Sequence, residues 1–415
     1  MEIMDGLLDE KKWYAFLSDI VLNHKMNSAQ IIDLFQFIRD KEYVDVVNRM
    51  MKMPLPATPR LVEVNKKGTN RKRKVFVFND AEMFVFKMIA FLLKSYDHLF
   101  CENLYSFRSN RNVKNVLYDV TKRINIYNCY SYKIDIHDYF NSIDPVEMLE
   151  LVKTKLPGEP KFYDFLSKIL LNPVAIGESG KESVEKRGVM AGVPISGFLA
   201  NLYLADMDFK FRDNGIIYVR YSDDIICFSY QKDEIDYCEA VIQEELAKRK
   251  LLINPKKVKK TMPSEQIEYL GFKFYDGNID VADGNVQKIK GKLKRKAKSL
   301  YRWKCSKNAS DERTIRAYIR FFMRKFYNNP SNGEITWCRW YFPVITTDKQ
   351  LKTIDEYAVS CIRYLTTGRY GKKNYNLRYE QIKNAGYISL VNSFWKYKKG
   401  DYRTWELSDK QIERE

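Results

Sequence analysis

Three aspartates lie among apolar residues, where an unpaired carboxylate is costly to bury. Asp135 ends the run YKID at 132–135, whose apolar neighbours predict a buried strand. Asp223 and Asp224 stand side by side in IIYVRYSDDIICFS at 216–229, a pattern that predicts two strands and a tight turn. Adjacent carboxylates repel each other, and a divalent metal ion is the obvious group to offset their charge. Carboxylates that hold two metal ions about 3.5–4 Å apart are typical of phosphoryl transfer from a nucleoside triphosphate.

Each feature also has an ordinary structural explanation. Asp135 by itself is more simply a capping residue in a turn, and an Asp-Asp pair can form a solvated turn. Apolar residues on both sides of Asp223 and Asp224 weaken the second explanation. Mg²⁺ suits the three carboxylates because it prefers hard oxygen ligands and keeps several waters, and Mn²⁺ is an alternative. The sequence thus predicts two bound ions, provided that the three side chains converge.

The composition points to a polyanionic partner. The 415 residues include 71 Lys and Arg against 53 Asp and Glu, a formal net charge of +18. This excess favours nucleic acid binding, with a lysine-rich protein that lacks such a partner as the alternative. Seven scattered cysteines without a CxxC pair and three widely spaced histidines argue against a disulfide framework or a zinc site. The chain shows no secretory leader and no apolar run long enough for a bilayer, which predicts a cytoplasmic protein without a membrane partner.

The elements that must position the aspartates alternate between helices and strands. Apolar periodicity predicts helices at 1–50, 80–100, 145–171 and 233–250, and a Gly-rich loop opening a helix at 188–212. A hairpin is predicted on both sides of a basic turn around Gly68, with further strands at 258–261, 267–275 and 278–281. Residues 285–329 look helical and hold 15 Lys and Arg but two acids. This order predicts an α+β core with an added helical part, in two or three domains.

Several segments resemble the reverse transcriptases, particularly the bacterial, non-retroviral ones. YSDD at 221–224 resembles the family's YxDD box, and DIHDYFNSI at 135–143 resembles its first aspartate motif. The other similar segments follow in the family's order: NLYSFRSNR at 103–111, the loop and helix GVMAGVPISGFLANLYL at 188–204, INPKK at 253–257 and YLGF at 269–272. The resemblance covers residues 60–275. It implies a right-hand polymerase with an N-terminal helical extension (1–59), fingers and palm (60–284), a basic helical thumb (285–329) and a C-terminal extension (330–415).

The resemblance also implies roles for single residues. Asp135, Asp223 and Asp224 would be the catalytic metal ligands, joined by the carbonyl of Ile136. Phe140 stands where the family has an aromatic side chain that excludes a ribose 2′-hydroxyl. The resemblance also implies nucleotide contacts from Arg73, Ala191, Gly192 and Lys257. Lys72 and Lys74 compete with Arg73 for its role, and Lys256 competes with Lys257. The implied nucleic acid contacts are Arg108, Arg111, Tyr221, Lys288, Lys292, Arg295 and Lys296.

The sequence departs from the family in the expected nucleotide pocket. Met190 and Ala191 replace a frequent Pro-Gln pair, Asn141 stands where Asp is frequent, and Met83 aligns with a frequent arginine. None of these changes removes a proposed metal ligand. We therefore expect activity, with unusual handling of the nucleotide or template.

The tail contains YLTTGRYGKKNY at 364–375 and GYISLVN at 386–392, which resemble the extension of standalone, defence-associated bacterial enzymes. The resemblance implies an RNA-directed DNA polymerase that uses dNTPs to copy a structured non-coding RNA into cDNA during antiphage defence. The alternatives are a retron- or intron-type enzyme, an RNA-dependent RNA polymerase, and a non-catalytic RNA-binding protein. The sequence does not identify the template, the primer or the oligomeric state. It also leaves open whether synthesis is primed from a tyrosine of the protein.

Overall fold

The computed structural model of the chain describes residues 2–23, 26–52, 58–65, 72–109, 111, 113–172, 174–327 and 336–401. The chain divides into two compact units, Met1–Pro263 and Ser264–Glu415. Both units combine helices and strands, so the predicted α+β class is confirmed. The predicted division into four parts, with a boundary after residue 284, stays a prediction.

The first unit contains most of the elements. Its helices are α1 (Ile3–Gly6), α2 (Glu10–Leu22), α3 (Ser28–Arg39), α4 (Glu42–Met51), α5 (Asp80–Leu92), α6 (Val113–Arg123), α7 (Tyr139–Ser142), α8 (Pro145–Lys155), α9 (Pro160–Leu170), α10 (Ser196–Tyr203), α11 (Ala205–Asp213) and α12 (Lys232–Lys248). Its strands are β1 (Arg60–Asn65), β2 (Lys72–Val77), β3 (Tyr130–Asp135), β4 (Val174–Ile176), β5 (Glu182–Val184), β6 (Ile217–Tyr221), β7 (Asp224–Ser229) and β8 (Lys259–Thr261).

The N-terminal helices pack around one aromatic cluster. Trp13 is fully buried, and its ring lies 5.6 Å from that of Phe37 and 5.2 Å from that of Tyr43. Phe37 in turn lies 5.4 Å from Phe84 of α5. The prediction of helix over 1–50 is confirmed as four successive helices, which bury their apolar faces against each other and against α5.

The first sheet has the strand order β2-β1-β4-β5. β1 and β2 pair antiparallel, which confirms the predicted hairpin strands, while the turn around Gly68 lies outside the described residues. β1 also pairs in parallel with β4 through Arg60 and Ile176. The sequence did not predict β4 and β5, because three residues each are too short for a periodic pattern.

The second sheet has the order β6-β7-β3-β8, and all its pairs are antiparallel. The β-branched and aromatic residues of β3 and β7 suit such central strands, and α12 packs against both strands. The register sets Asp135, the last residue of β3, opposite Asp224, the first residue of β7. The predicted strands at 216–229 are confirmed, with Ser222 and Asp223 forming the turn between them.

The second unit joins a small sheet to a group of helices. Its strands are β9 (Ile267–Tyr269), β10 (Phe272–Tyr275) and β11 (Asn278–Val281), and its helices are α13 (Asp283–Lys307), α14 (Asp311–Phe326), α15 (Trp337–Tyr341), α16 (Lys349–Thr367), α17 (Tyr379–Asn384) and α18 (Leu390–Lys398). The single strand predicted at 267–275 is wrong, because Leu270 and Gly271 take positive φ and turn the chain between β9 and β10. Helix is confirmed over most of 285–329 as α13 and α14. Among the described residues, every helix is too short or too polar to cross a lipid bilayer.

Candidate active site

The three aspartates meet at one end of the second sheet. Asp135 and Asp224 face each other in the β3–β7 register, and the Ile136 N–H donates to the Asp223 carbonyl at 2.9 Å. Ser222 takes a φ of +62°, which turns the chain sharply enough to place Asp223 beside β3. The order of strands therefore brings together two sequence segments that lie about ninety residues apart.

Lysine side chains partly offset the charge of these carboxylates. Lys257 Nζ lies 2.6 and 2.5 Å from the two Asp135 oxygens, and Lys133 Nζ lies 3.7 Å from Asp224 Oδ1. Burial, reinforced by the negative charge of Asp135, raises the pKa of Asp223 above its ordinary value. Burial raises the pKa of Asp224 to about 6 against the opposing effect of Lys133. The site thus concentrates negative charge in partly water-excluded surroundings and attracts cations.

The donor set fits a hard divalent cation. Within the described residues, no group of three His, Cys, Asp or Glu side chains is already close enough to form a metal-binding cluster. Mg²⁺ needs no such closed cage, because it usually takes one or two carboxylates and completes its shell with water and substrate phosphates. The ammonium groups of Lys257 and Lys133 lie beside Asp135 and Asp224, so both carboxylates stabilise positive charge. Asp135, Asp223 and Asp224 could therefore hold such ions.

A fully buried ion pair supports the hairpin that carries Asp223 and Asp224. Arg220 Nε donates to Asp208 Oδ1 at 2.8 Å, and both side chains have no exposed surface. Tyr218 also donates to Asp208, and Arg220 Nη2 donates to the Asn201 carbonyl at 2.9 Å. These contacts fix β6 against α10 and α11. Sequence reasoning missed Asp208 and Arg220, although an arginine inside an apolar strand was a signal that a buried partner exists.

The turn itself is fixed by a chain of hydrogen bonds. The Ser222 N–H donates to Ser106 Oγ at 2.9 Å, and Ser106 Oγ donates to Asn201 Oδ1 at 3.0 Å. Asn201 Nδ2 returns a bond of 2.7 Å to the Ser106 carbonyl. All three residues are buried. The segment 103–111 therefore positions the aspartate turn directly, a role that the sequence had not indicated for Ser106.

The Gly-rich loop packs against the strand that carries Lys72 and Arg73. The Ala191 carbonyl accepts a 2.8 Å bond from the Phe76 N–H of β2. Gly192 has a φ of +102°, and a Cβ there would lie 2.3 Å from Val75 Cγ1, so only glycine fits. Lys72 and Arg73 are exposed on the same strand, and Lys72 pairs with Glu63 at 2.8 Å. The structure thus brings four of the predicted nucleotide-contact residues into one neighbourhood.

Comparison with known families agrees with this geometry. The family model for reverse transcriptase (RNA-dependent DNA polymerase) matches residues 64–274, just over half of the chain. The chain belongs to the reverse transcriptase family. The matched range contains Asp135, Asp223 and Asp224, and it confirms the predicted reverse-transcriptase type of fold.

Solved structures similar to the chain include telomerases of two Candida species. The apo telomerase of Candida tropicalis, truncated from its C-terminal domain, is 13% identical with a TM-score of 0.41, covering 54% of this chain and 55% of that one. The telomerase of Candida albicans with a fragment of telomeric RNA is 13% identical with a TM-score of 0.43, covering 91% and 69%. The apo telomerase of Candida tropicalis is 12% identical with a TM-score of 0.46, covering 84% and 62%. The chain spans about half the length of the first of these. A search of curated proteins found no match.

Phe140 lies beside the Gly-rich loop of this reverse transcriptase. Its carbonyl accepts a 2.9 Å bond from the Val189 N–H, and its half-buried ring meets Phe107 edge-on at 5.9 Å. Tyr139, the preceding residue, is anchored by a 2.6 Å bond from its hydroxyl to the Ala200 carbonyl. Phe140 is therefore held in a defined place beside the Gly-rich loop that contains Ala191 and Gly192, two residues predicted to contact the nucleotide.

The two arginines predicted to contact nucleic acid have different surroundings. The Arg108 side chain is 7% exposed and donates to both carboxylate oxygens of Asp97 and to the Cys101 carbonyl. These inward bonds occupy the guanidinium, and a contact of Arg108 with nucleic acid stays a prediction. Arg111 is partly exposed, pairs with Asp119 at 3.4 Å and lies over the Tyr105 ring. Its contact with nucleic acid stays a prediction.

The remaining predicted nucleic acid contacts are Tyr221 and the basic residues of α13. Tyr221 is half-buried next to the aspartate turn, and burial raises its pKa. Lys288, Lys292 and Arg295 are exposed at intervals of four and three residues, so they share one side of α13. Lys296 is half-buried with Nζ 5.6 Å from the Phe321 ring centre, which suits packing better than a phosphate contact.

Proposed function

We propose that this reverse transcriptase adds deoxynucleotides to a 3′-hydroxyl at Asp135, Asp223 and Asp224 while it copies an RNA template. The observation that carries the proposal is the β3–β7 register, which sets Asp135 opposite Asp224 and ties Ile136 to Asp223. Carboxylates held on two paired strands keep a fixed separation, as a two-metal site requires.

Two Mg²⁺ ions bound here, or Mn²⁺ in their place, would activate the 3′-hydroxyl and stabilise the charge that develops on the leaving pyrophosphate. Asp135, Asp223 and Asp224 would hold them, with the Ile136 carbonyl as a further ligand. Lys257, whose side chain is 58% exposed, can turn from Asp135 towards the triphosphate. Lys72 and Arg73 on β2 supply further positive charge for the phosphates. Lys257 is favoured over its neighbour Lys256 for this role because the Lys257 ammonium group already reaches Asp135.

Phe140 is proposed to select deoxynucleotides, so replacing it by alanine should relax sugar selection. Without the ring, the proposed steric clash with a ribose 2′-hydroxyl is removed. We expect discrimination between dGTP and rGTP to fall about 10–200-fold, the range for one steric contact in a pocket. The measurement is kcat/KM for each nucleotide in the extension of a DNA primer on an RNA template. The same assay with the wild-type protein tests the proposed polymerase activity.

The exposed Tyr237 of α12 gives a matched control, and the change of Tyr237 to alanine should leave the selectivity as it is. Equal use of ribonucleotides and deoxynucleotides by the wild-type protein would contradict the role of Phe140 and favour an RNA-dependent RNA polymerase. No extension at all, with well-folded protein, would favour the non-catalytic alternative.

We further infer a structured non-coding RNA as the template and a standalone role in bacterial antiphage defence. The support is the resemblance of 364–375 and 386–392 to that group, together with the net charge of +18. Sequencing the RNA that co-purifies with the protein should reveal one strongly enriched, folded RNA. Enrichment of a retron or intron RNA would assign the chain to those types instead, and a spread of unrelated cellular RNAs would remove the proposed partner.

A further inference from the structure

The second unit contains a long open groove. Two adjoining cavities of about 1140 and 650 Å³ lie along α16, α17 and α18, and they share Tyr379, Ser389 and Asn392 in their linings. We call this continuous depression the tyrosine groove. It lies wholly within Ser264–Glu415, whereas the three aspartates belong to the first unit.

Exposed aromatic side chains are concentrated in this groove. Tyr370, Tyr375, Tyr379 and Trp395 line it, and they are 51%, 67%, 38% and 47% exposed. Within the described residues of the second unit, these four are the only large hydrophobic side chains with so much exposed surface. Scattered exposure of single apolar residues needs no explanation, but four rings in one depression mark a binding site.

Cations and polar groups accompany the rings. The Arg363 guanidinium carbon lies 4.6 Å from the centre of the Tyr375 ring, and Lys383 Nζ lies 6.0 Å from that of Tyr379. Lys352 and Lys396 add exposed positive charge, while Glu356 contributes one exposed carboxylate. A pairing of aromatic faces with nearby cations matches stacked bases whose phosphates remain at the edge of the groove.

The walls of the groove are held rigidly. Asp355 of α16 accepts hydrogen bonds from the Tyr387 and Ser389 hydroxyls and from the Leu390 and Val391 N–H groups, at 2.7 to 3.1 Å. The Trp395 indole is oriented by a 2.7 Å bond from Nε1 to Asp348. A ring oriented in this way loses little freedom on binding, which favours a specific ligand over random contact.

We propose that the tyrosine groove binds a single-stranded segment of nucleic acid, with unpaired bases stacked on Tyr370, Tyr375, Tyr379 and Trp395. Stacking requires free base faces, so a duplex does not enter. An RNA segment beside the template and the newly made DNA strand share this chemistry. The inference does not depend on polymerase activity, because binding at the groove involves no synthesis.

The test measures binding of a fluorescent single strand of ~12 nucleotides by anisotropy, using the full chain with Asp223→Asn so that synthesis is negligible. Tyr375→Ala should weaken binding about tenfold, since base stacking on one ring has that order of effect, whereas Tyr375→Phe should retain it. Tyr237→Ala, which removes a similarly exposed ring from α12, is the matched control. Thermal melting confirms that each variant is folded.

Crosslinking with a strand that carries photoreactive thiouridine locates the contact, and the expected crosslinks fall on the four rings. The same sequence as RNA and as DNA distinguishes the two sources. The proposal would be overturned if Tyr375→Ala bound the single strand as tightly as the wild-type protein does, or if the crosslinks were confined to the first unit. Crosslinks of a duplex to the four rings would overturn it as well. Failure of primer extension, by contrast, would contradict the proposed function and leave this result unaffected.

Discussion

Replacing Asp223 by asparagine is expected to lower DNA synthesis about a thousandfold, since metal stabilisation of the transition state is worth several kcal/mol. Asparagine keeps the shape of the side chain and leaves the backbone bond from Ile136 to the residue 223 carbonyl in place. The fold should therefore survive. Asp135, Asp223 and Asp224 carry like charges that Lys257 and Lys133 offset only in part, so removing one charge relieves repulsion.

Single-nucleotide extension of a DNA primer on an RNA template measures the loss, and thermal melting without metal measures the fold. We expect the melting temperature of the variant to equal or exceed that of the wild type. Asp236→Asn changes an exposed carboxylate of α12 and serves as the matched control, with synthesis unchanged. Synthesis by Asp223→Asn within tenfold of the wild type would mean that the reaction takes place at other residues.

The position of the three aspartates could be predicted because strong local signals surround them. Alternating β-branched and aromatic residues fix β3, β6 and β7, and the turn between β6 and β7 is short. Once two strands are buried and antiparallel, the side-chain period of two limits the possible registers. The pairing of Asp135 with Asp224 follows from these local patterns and from the family resemblance together.

Partners that are distant in the chain could not be predicted in the same way. Arg220 stands in an apolar strand, which indicates a buried partner, but the sequence does not identify Asp208 as that partner. Their mutual burial depends on how α11 packs beside β6. The ion pair of Arg108 could not be predicted for the same reason, because its partner Asp97 lies in a separate short helix at Leu93–Leu99. Choosing Lys257 rather than Lys256 as the lysine at the carboxylates required the 3₁₀ turn Pro255–Lys257, which directs one of the two side chains to Asp135.

Asp208→Ala is expected to cost about 3–5 kcal/mol of stability, because it leaves the Arg220 guanidinium buried without its counter-charge. The Tyr218 hydroxyl loses its acceptor in the same change. For a unit of this size the loss corresponds to a fall of roughly 6–20 °C in melting temperature. Calorimetry of the full chain measures it. Asp213→Ala, which removes the exposed partner of Arg212 on the same helix, should shift melting very little because surface pairs contribute at most about 1 kcal/mol.

A double change distinguishes an uncompensated charge from simple loss of packing. Asp208→Leu with Arg220→Met fills the space with apolar side chains, and such replacements of buried ion pairs are often neutral or stabilising. We expect the double variant to recover most of the lost melting temperature.

DNA synthesis should recover less, because the hydrogen bond from Arg220 to the Asn201 carbonyl also links β6 to α10. α10 in turn holds the turn at Ser222 and Asp223 through Asn201 and Ser106. If stability and synthesis return together, the ion pair contributes only to the packing of the core. If stability returns without synthesis, the buried arginine positions Asp223 and Asp224 for the reaction.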